Sequence, residues 1–125
     1  MPRAQDANTF RRAVQLWSAG SLREAEPMLN ELVADDPSFG EAWLVLGHVR
    51  LGLGRNPELP WRRASSAGQP EASYALGLWL AQAGRAKDGL GLLRHACRLN
   101  PHERRYAVGL TDLLLLVDEP PADLG

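Results

Sequence analysis

"EAWLVLGHVRLGLGR", residues Glu41 to Arg55, carries two patterns that lead to different proteins. Gly52-Leu53-Gly54, with His48 nearby, matches the start of a phosphate-cradling loop. Trp43, Leu46 and Gly47 match the packing seam of a helical repeat. One reading makes an enzyme and the other a binding module, and the residues around the stretch decide between them.

The phosphate loop fails on context. A dinucleotide fingerprint follows a strand, opens a helix and has a third glycine three residues on. Here position 57 is Pro57, and the preceding segment has helical periodicity. Gly89 and Gly91 fail in the same way. No Ser, Cys or Asp is placed by sequence to form a triad with His48. His95, Cys97 and His102 lie close together, but residues i and i+2 point to different faces of a helix. No carboxylate joins them at zinc-ligand spacing. The expectation is therefore a buried Cys97 with two surface histidines, no catalytic residue, no cofactor and no metal.

At 125 residues the chain is long enough for one domain with a sizeable core. Its net charge is -1, with acids and bases mixed along the chain, so it carries no footprint for nucleic acid or an anionic membrane. Cys97 is the single cysteine, which excludes an intramolecular disulfide and fits a reducing compartment. "MPRAQDANTF" has no apolar segment resembling a signal peptide. The longest aliphatic run, Leu113 to Val117, is too short to cross a bilayer. These features lead to an expectation of a cytoplasmic protein.

Gly and Pro divide the chain into segments of helical length, near residues 6–19, 22–35, 40–53, 59–67, 71–83, 86–99 and 102–117. "SLRE" places Ser21 three residues before Glu24, which predicts a capping box opening the second helix. Pro60 suits the first turn of the fourth helix. Gly68 is placed to end that helix in a left-handed conformation. Pro27, about a turn inside the second helix, predicts a slight bend.

The segments repeat. Ala13, Gly47 and Gly77 align as a small residue on the first helix of each pair, and Gly20, Gly54 and Gly84 align at the turn. Leu16 and Leu80 align one helical turn after the small residue, where the middle unit has Arg50. Pro37 and Pro101 close the first and third units. Two helices approach closely only where one presents Gly or Ala, as Gly47, Gly77 and Ala96 do. Glycine costs a helix about 1 kcal/mol relative to alanine, so glycines recurring at one phase imply a packing contact. Gly52 has no counterpart in the other units.

This array resembles the tetratricopeptide repeat (TPR) family, whose 34-residue unit carries W-x2-L-G-x2-Y, then a small residue, an aromatic and a closing proline. "WLVLG" (Trp43, Leu46, Gly47) is the best match and "YALG" (Tyr74 to Gly77) the next. Ala25 and Gly89 hold the family's small position on the second helix, and Leu29 and Leu93 the aromatic one. Gly20 to Gly54 is 34 residues, while Gly54 to Gly84 is 30. The middle unit is thus short, with a short second helix. "WRRASSAGQPEASYALG", 61–77, resembles the Sel-type variant, in which A-x-x-G-x-x-x-A-x-x-x-L-G joins one unit to the next.

The resemblance implies an all-α fold, a right-handed superhelical array of antiparallel helix pairs (a TPR-like α-solenoid). It would have a disordered N-terminus over 1–5 and one domain over 6–117, with units near 6–39, 40–69 and 70–103. A capping helix at 104–117 and a flexible acidic tail at 118–125 would follow. Leu113 to Leu116 cover all sides of that last helix, so part of the run is core or a contact with another molecule. In the family, the first helix of each pair lines a groove that holds a peptide or partner helix. Its phases fall on Phe10, Leu44, Tyr74 and Val108, then Val14, His48 and Leu78, then Trp17 and Leu51. The lining is mostly apolar, and the Lys, Asn and Arg of a carboxylate clamp are missing from it. The implied function is a protein-interaction module that grips an apolar peptide or helix of another protein, with self-association or a small assembly or secretion chaperone as alternatives. Arg62 with Arg63, and Arg104 with Arg105, read as solvated helix faces, with contact to an acidic partner as the alternative.

Overall fold

The computed structural model describes residues 3–117, so the acidic tail at 118–125 lies outside the described residues. The chain divides between Gln69 and Pro70 into two compact units. The first holds α1 (Ala4–Ser18), α2 (Leu22–Asp35), α3 (Gly40–Gly52) and α4 (Glu58–Ser66). The second holds α5 (Pro70–Gln82), α6 (Ala86–Leu99) and α7 (Arg104–Val117). No strand occurs among the described residues. Ala4 and Gln5, inside the stretch expected to be a disordered N-terminus over 1–5, are helical, and residues 1 and 2 lie outside the described residues.

The turns follow one design. At the end of α1, Gly20 takes a left-handed φ of 81°, its N–H donates to the Trp17 carbonyl, and the Ser21 N–H reaches the Leu16 carbonyl at 2.8 Å. This is a Schellman turn, which needs a residue free of β-carbon strain. Gly54, Gly68 and Gly84 close α3, α4 and α5 with the same pair of hydrogen bonds. The prolines make a second design. Asp36 and Asn100, each before a proline, leave the helix for extended φ values of -138° and -143°, since a residue preceding proline is kept out of the helical region.

The capping box at Ser21 does not form; the residue makes no side-chain cap. Ser21 is also the last residue of the α1 turn, and with ψ at 62° it lacks the extended backbone that aims an N-cap hydroxyl at the helix. Pro60 lies in the first turn of α4, and α2 runs unbroken through the exposed Pro27.

In the first unit α2 packs on both α1 and α3, and α3 packs on α4. Its core is Ala13, Ala25, Leu29, Leu32, Val45, Leu46 and Val49, with Trp61 2% exposed beneath α3. A β-carbon on Gly47 would collide with the Trp61 indole. In the second unit α6 packs on both α5 and α7 around Leu76, Leu80, Leu93, Ala96 and Leu113. There α5 and α6 meet backbone to backbone: a β-carbon on Gly77 would lie 3.0 Å from the Gly89 carbonyl oxygen. Ala25, Leu29, Leu93 and Gly89 are buried as their repeat phases require. The middle unit's second helix is short, nine residues in α4 against 14 in α2 and α6.

Two departures from the repeat gain a physical reason. A β-carbon on Gly52 would meet Leu22 Cδ1 at 2.6 Å, so this glycine makes room for the start of α2 under the end of α3. Arg50, at the phase of Leu16 and Leu80, turns to Glu26 on α2 and donates from Nε to the Asn56 carbonyl at 3.0 Å. Glu26, 9% exposed, also pairs with Arg55. A nearly buried carboxylate needs such partners.

Gly47→Ala should lower stability by about 1–3 kcal/mol through overpacking against Trp61. Gly91, exposed on α6 with nothing within 4 Å of the place a β-carbon would take, is the counter-case. Gly91→Ala should raise stability by up to about 1 kcal/mol. Urea unfolding followed by circular dichroism reads both, and opposite signs are expected.

Candidate protein-binding surfaces

In the first unit the expected surface is carried by α1 and α3. Phe10 is half-buried and meets Phe39 with ring centroids 5.0 Å apart. Phe39, which precedes α3, is 7% exposed and serves as a floor. A pocket of about 380 Å³ opens here, lined by Ala7, Phe10, Arg11, Val14, Phe39 and Glu41. Its apolar base is flanked by one arginine and one glutamate, the arrangement that suits an apolar side chain carried on a polar backbone.

One helical turn further along, the surface becomes aromatic. The His48 ring stacks on Trp17 at 5.4 Å, nearly parallel, and meets Trp61 edge-on at 5.3 Å. Trp61 Nε1 donates to the Leu44 carbonyl at 3.2 Å. Trp17, Leu44 and His48 are therefore half-buried and tie α1, α3 and α4 together, while Leu51 is 45% exposed. His48 is held between two tryptophans. Trp43, the leading residue of the repeat signature, points elsewhere and donates from Nε1 to the Pro37 carbonyl at 2.8 Å. The Arg63 guanidinium lies 5.8 Å from the Trp43 ring centre.

In the second unit Tyr74 and Leu78 on α5 are half-buried, and Val108 on α7 is 55% exposed. Tyr74 meets Tyr106 at 5.0 Å and packs where Gly109 leaves space. Glu71 binds this end together. It accepts two hydrogen bonds from Arg105, at 3.1 and 2.9 Å, and one from the Tyr106 hydroxyl at 2.7 Å. Arg105 also donates to Glu103 at 3.2 Å and lies over both tyrosine rings. The hydrogen bonds to Glu71, then Glu103, hold the Arg105 guanidinium above its usual range, and Arg105 in turn holds the Glu103 carboxyl below its own. Burial, then the hydrogen bond to Glu71, pushes the Tyr106 phenol up.

The arginine pairs thus split. Arg105 is engaged within its own unit, and Arg62 is bound to Glu58 at 2.8 Å. Arg63 and Arg104 remain exposed. Cys97 is half-buried rather than buried, and His95 is half-buried where a surface position was expected, because α6 turns that side only partly inward. His102 is exposed. Among the described residues no group of three or more His, Cys, Asp or Glu comes together. None of the described helices is long and apolar enough to cross a membrane. Phe39 and the Glu71–Arg105 pair were missed by sequence reasoning. The pair carried a signal: opposite charges 34 residues apart, the length of one repeat.

No family model matches the chain, and no curated protein matches it in sequence. Solved structures do. The Yersinia enterocolitica type III secretion chaperone SycD, in complex with a peptide of the translocator YopD, matches with a TM-score of 0.79 and 16% identity, over 90% of this chain and 94% of that one. An alternative dimer of SycD matches with a TM-score of 0.81, at 16% identity, over 94% and 97%. A Thermobaculum terrenum O-GlcNAc transferase mutant matches with a TM-score of 0.69 and 26% identity, over 90% of this chain but 23% of that one. These likenesses give the chain an all-α, TPR-like helical-repeat fold.

Tyr106 keeps its proton above pH 10, where an unfolded tyrosine loses it. Its stabilising contribution is therefore complete below about pH 10 and is lost as the pH rises through its raised folded pKa. Chemical unfolding between pH 8 and 12 should show this alkaline decline, and Tyr106→Phe should flatten it. An unchanged slope would remove Tyr106, with its burial and its hydrogen bond to Glu71, as the source of the decline.

Proposed function

We propose that this chain is a protein-interaction module of the TPR family, with a Sel-type junction between its middle and last units. Ser65 stands at that junction where the variant's first alanine falls, and it is buried there as a similarly small residue. The ligand is an apolar peptide or helix of another protein, held on the faces of the first helices. Phe10, Val14, Trp17, Leu44, His48 and Leu51 serve in the first unit, and Tyr74, Leu78 and Val108 in the second. Phe10 and Val14 supply the observation that carries this reading, since they line an open apolar pocket on a first helix. Side chains of this kind grouped on a surface mark a place for another molecule, and helix-in-groove or peptide recognition uses such anchors.

The likeness to SycD with its YopD peptide favours one version of this role, a chaperone that holds an apolar segment of its client. A cytoplasmic location suits that version and the single cysteine.

The test begins with capture from native cells and identification of the bound protein by mass spectrometry. Binding of that protein is then measured by calorimetry against two variants. The double substitution Val14→Asp with Leu51→Asp should weaken it by about 100-fold or more, equivalent to at least about 2.7 kcal/mol. Leu59→Asp on α4, where the leucine is 61% exposed, should leave it unchanged. Equal affinity in both variants, with helicity intact, would overturn the assignment of the first-helix face.

A further inference from the structure

The pocket between α1 and α3 carries two charges that no neighbour neutralises. Arg11 stands on the wall that α1 contributes, and Glu41, in the first turn of α3, on the other. Both are exposed. Arg11 donates one hydrogen bond, to Asn8 Oδ1 at 3.1 Å, out of the five N–H groups of a guanidinium. Neither residue makes an ion pair among the described residues. The repeat explains why Glu41 has no cation. Glu41, Glu71 and Arg105 each precede a groove position by three residues, namely Leu44, Tyr74 and Val108. Glu71 is matched by Arg105 one unit later, with hydrogen bonds at 3.1 and 2.9 Å. The residue one unit after Glu41 is Glu71, another acid.

The rest of the pocket is apolar. Phe10 and Phe39 meet at a tilt of 47°, Val14 adds a branched wall, and Ala7 adds little bulk. Its volume of about 380 Å³ is near the lower end of the roughly 300–1,000 Å³ of ligand sites. That suits one bulky side chain with its backbone and is too small for the whole face of a helix.

We propose that the partner anchors one bulky apolar residue in this pocket and carries an acidic residue on one side of it and a basic residue on the other. The acid is for Arg11 and the base for Glu41. The proposal rests on the first-helix face as the binding surface and adds the charge pattern of what binds there. In an extended segment alternate residues share a face, so the acid and the base stand two positions from the anchor. The partner's carboxylate accepts from the Arg11 guanidinium, and its cation donates to the Glu41 carboxylate. A segment with two acids or two bases would set one like charge against the rim. Exposed pairs add little affinity, so the anchor binds and the charges select.

The test uses capped peptides Ac-Asp-Gly-Phe-Gly-Lys-NH2, the same with Asp and Lys exchanged, and versions with two Asp or two Lys. Each is titrated into the isotope-labelled whole chain while amide NMR shifts are followed. Shifts should centre on Phe10, Val14 and Glu41, with a Kd on the order of millimolar for a single anchor. The better mixed-charge peptide should bind about threefold tighter than either like-charged one. In Glu41→Lys the two-Asp peptide should become the tightest, and in Arg11→Glu the two-Lys peptide. A change of preference cannot arise from loss of fold. Salt at about 1 M should erase the preference and keep the binding, while Ala in place of the peptide's Phe should remove the binding. Absence of shifts at this pocket overturns the proposal, as does one ranking shared by all three proteins. Binding that needs Phe but ignores charge overturns it too, and leaves the first-helix face standing. That face falls separately, if the captured partner ignores Val14→Asp with Leu51→Asp.

Discussion

The Trp61 indole fills the volume that a β-carbon on Gly47 would need, and the α3–α4 pair is built on that contact. A large flat ring can lie against a helix backbone only where a side chain is missing. With the ring in place, its Nε1 reaches the Leu44 carbonyl, and His48 is held edge-on above it with Trp17 beyond. One glycine therefore places three aromatic rings on three helices. The second unit solves the same problem without an aromatic: Gly77 and Gly89 bring two backbones together directly, and Leu93 packs beside them. Close approach is the shared constraint, met by a ring in one unit and by a second glycine in the other.

The charged groups follow from this packing. Arg50 falls on a phase that is leucine in the other units, and it is accommodated because Glu26 on α2 lies opposite with little access to water. Glu71, Arg105 and Tyr106 do a comparable job between α5 and α7, joining residues one repeat apart. Such contacts add geometric definition more than net stability, since exposed ion pairs contribute little. They also remove Arg105 from the residues free to meet an acidic partner.

Helix number, order and turns were legible in the sequence because Gly and Pro mark backbone conformations that few other residues adopt. Gly68 takes the left-handed value expected at the end of its helix, and Gly20, Gly54 and Gly84, aligned at the turns by the repeat, take it as well. Gly47 and Gly77 were legible for a related reason, since a recurrent glycine inside a helix needs a close neighbour to explain it. Ser21 was misread because the capping rule looks forward into α2, whereas the preceding turn had already set that residue's backbone. The binding surface was less legible. A phase on a helix says which side a residue faces, but not whether a neighbour covers it. Phe39, outside any helix, forms the floor under Phe10, and His48 lies between two rings. Gly52 could not be explained by alignment, because its reason lies in Leu22, thirty residues earlier.

The four identical glycine turns have a consequence for how the chain reaches this state. Gly20, Gly54 and Gly84 each join two helices that pack on one another, so the stabilising contacts of these pairs close over short loops. Short loops lose little chain entropy on closure, and chains dominated by such contacts fold fast for their size. A helix pair can therefore form as soon as both of its helices exist, without waiting for distant segments. For a protein whose apolar faces are exposed until neighbouring helices cover them, rapid local closure shortens the time in which those faces can aggregate.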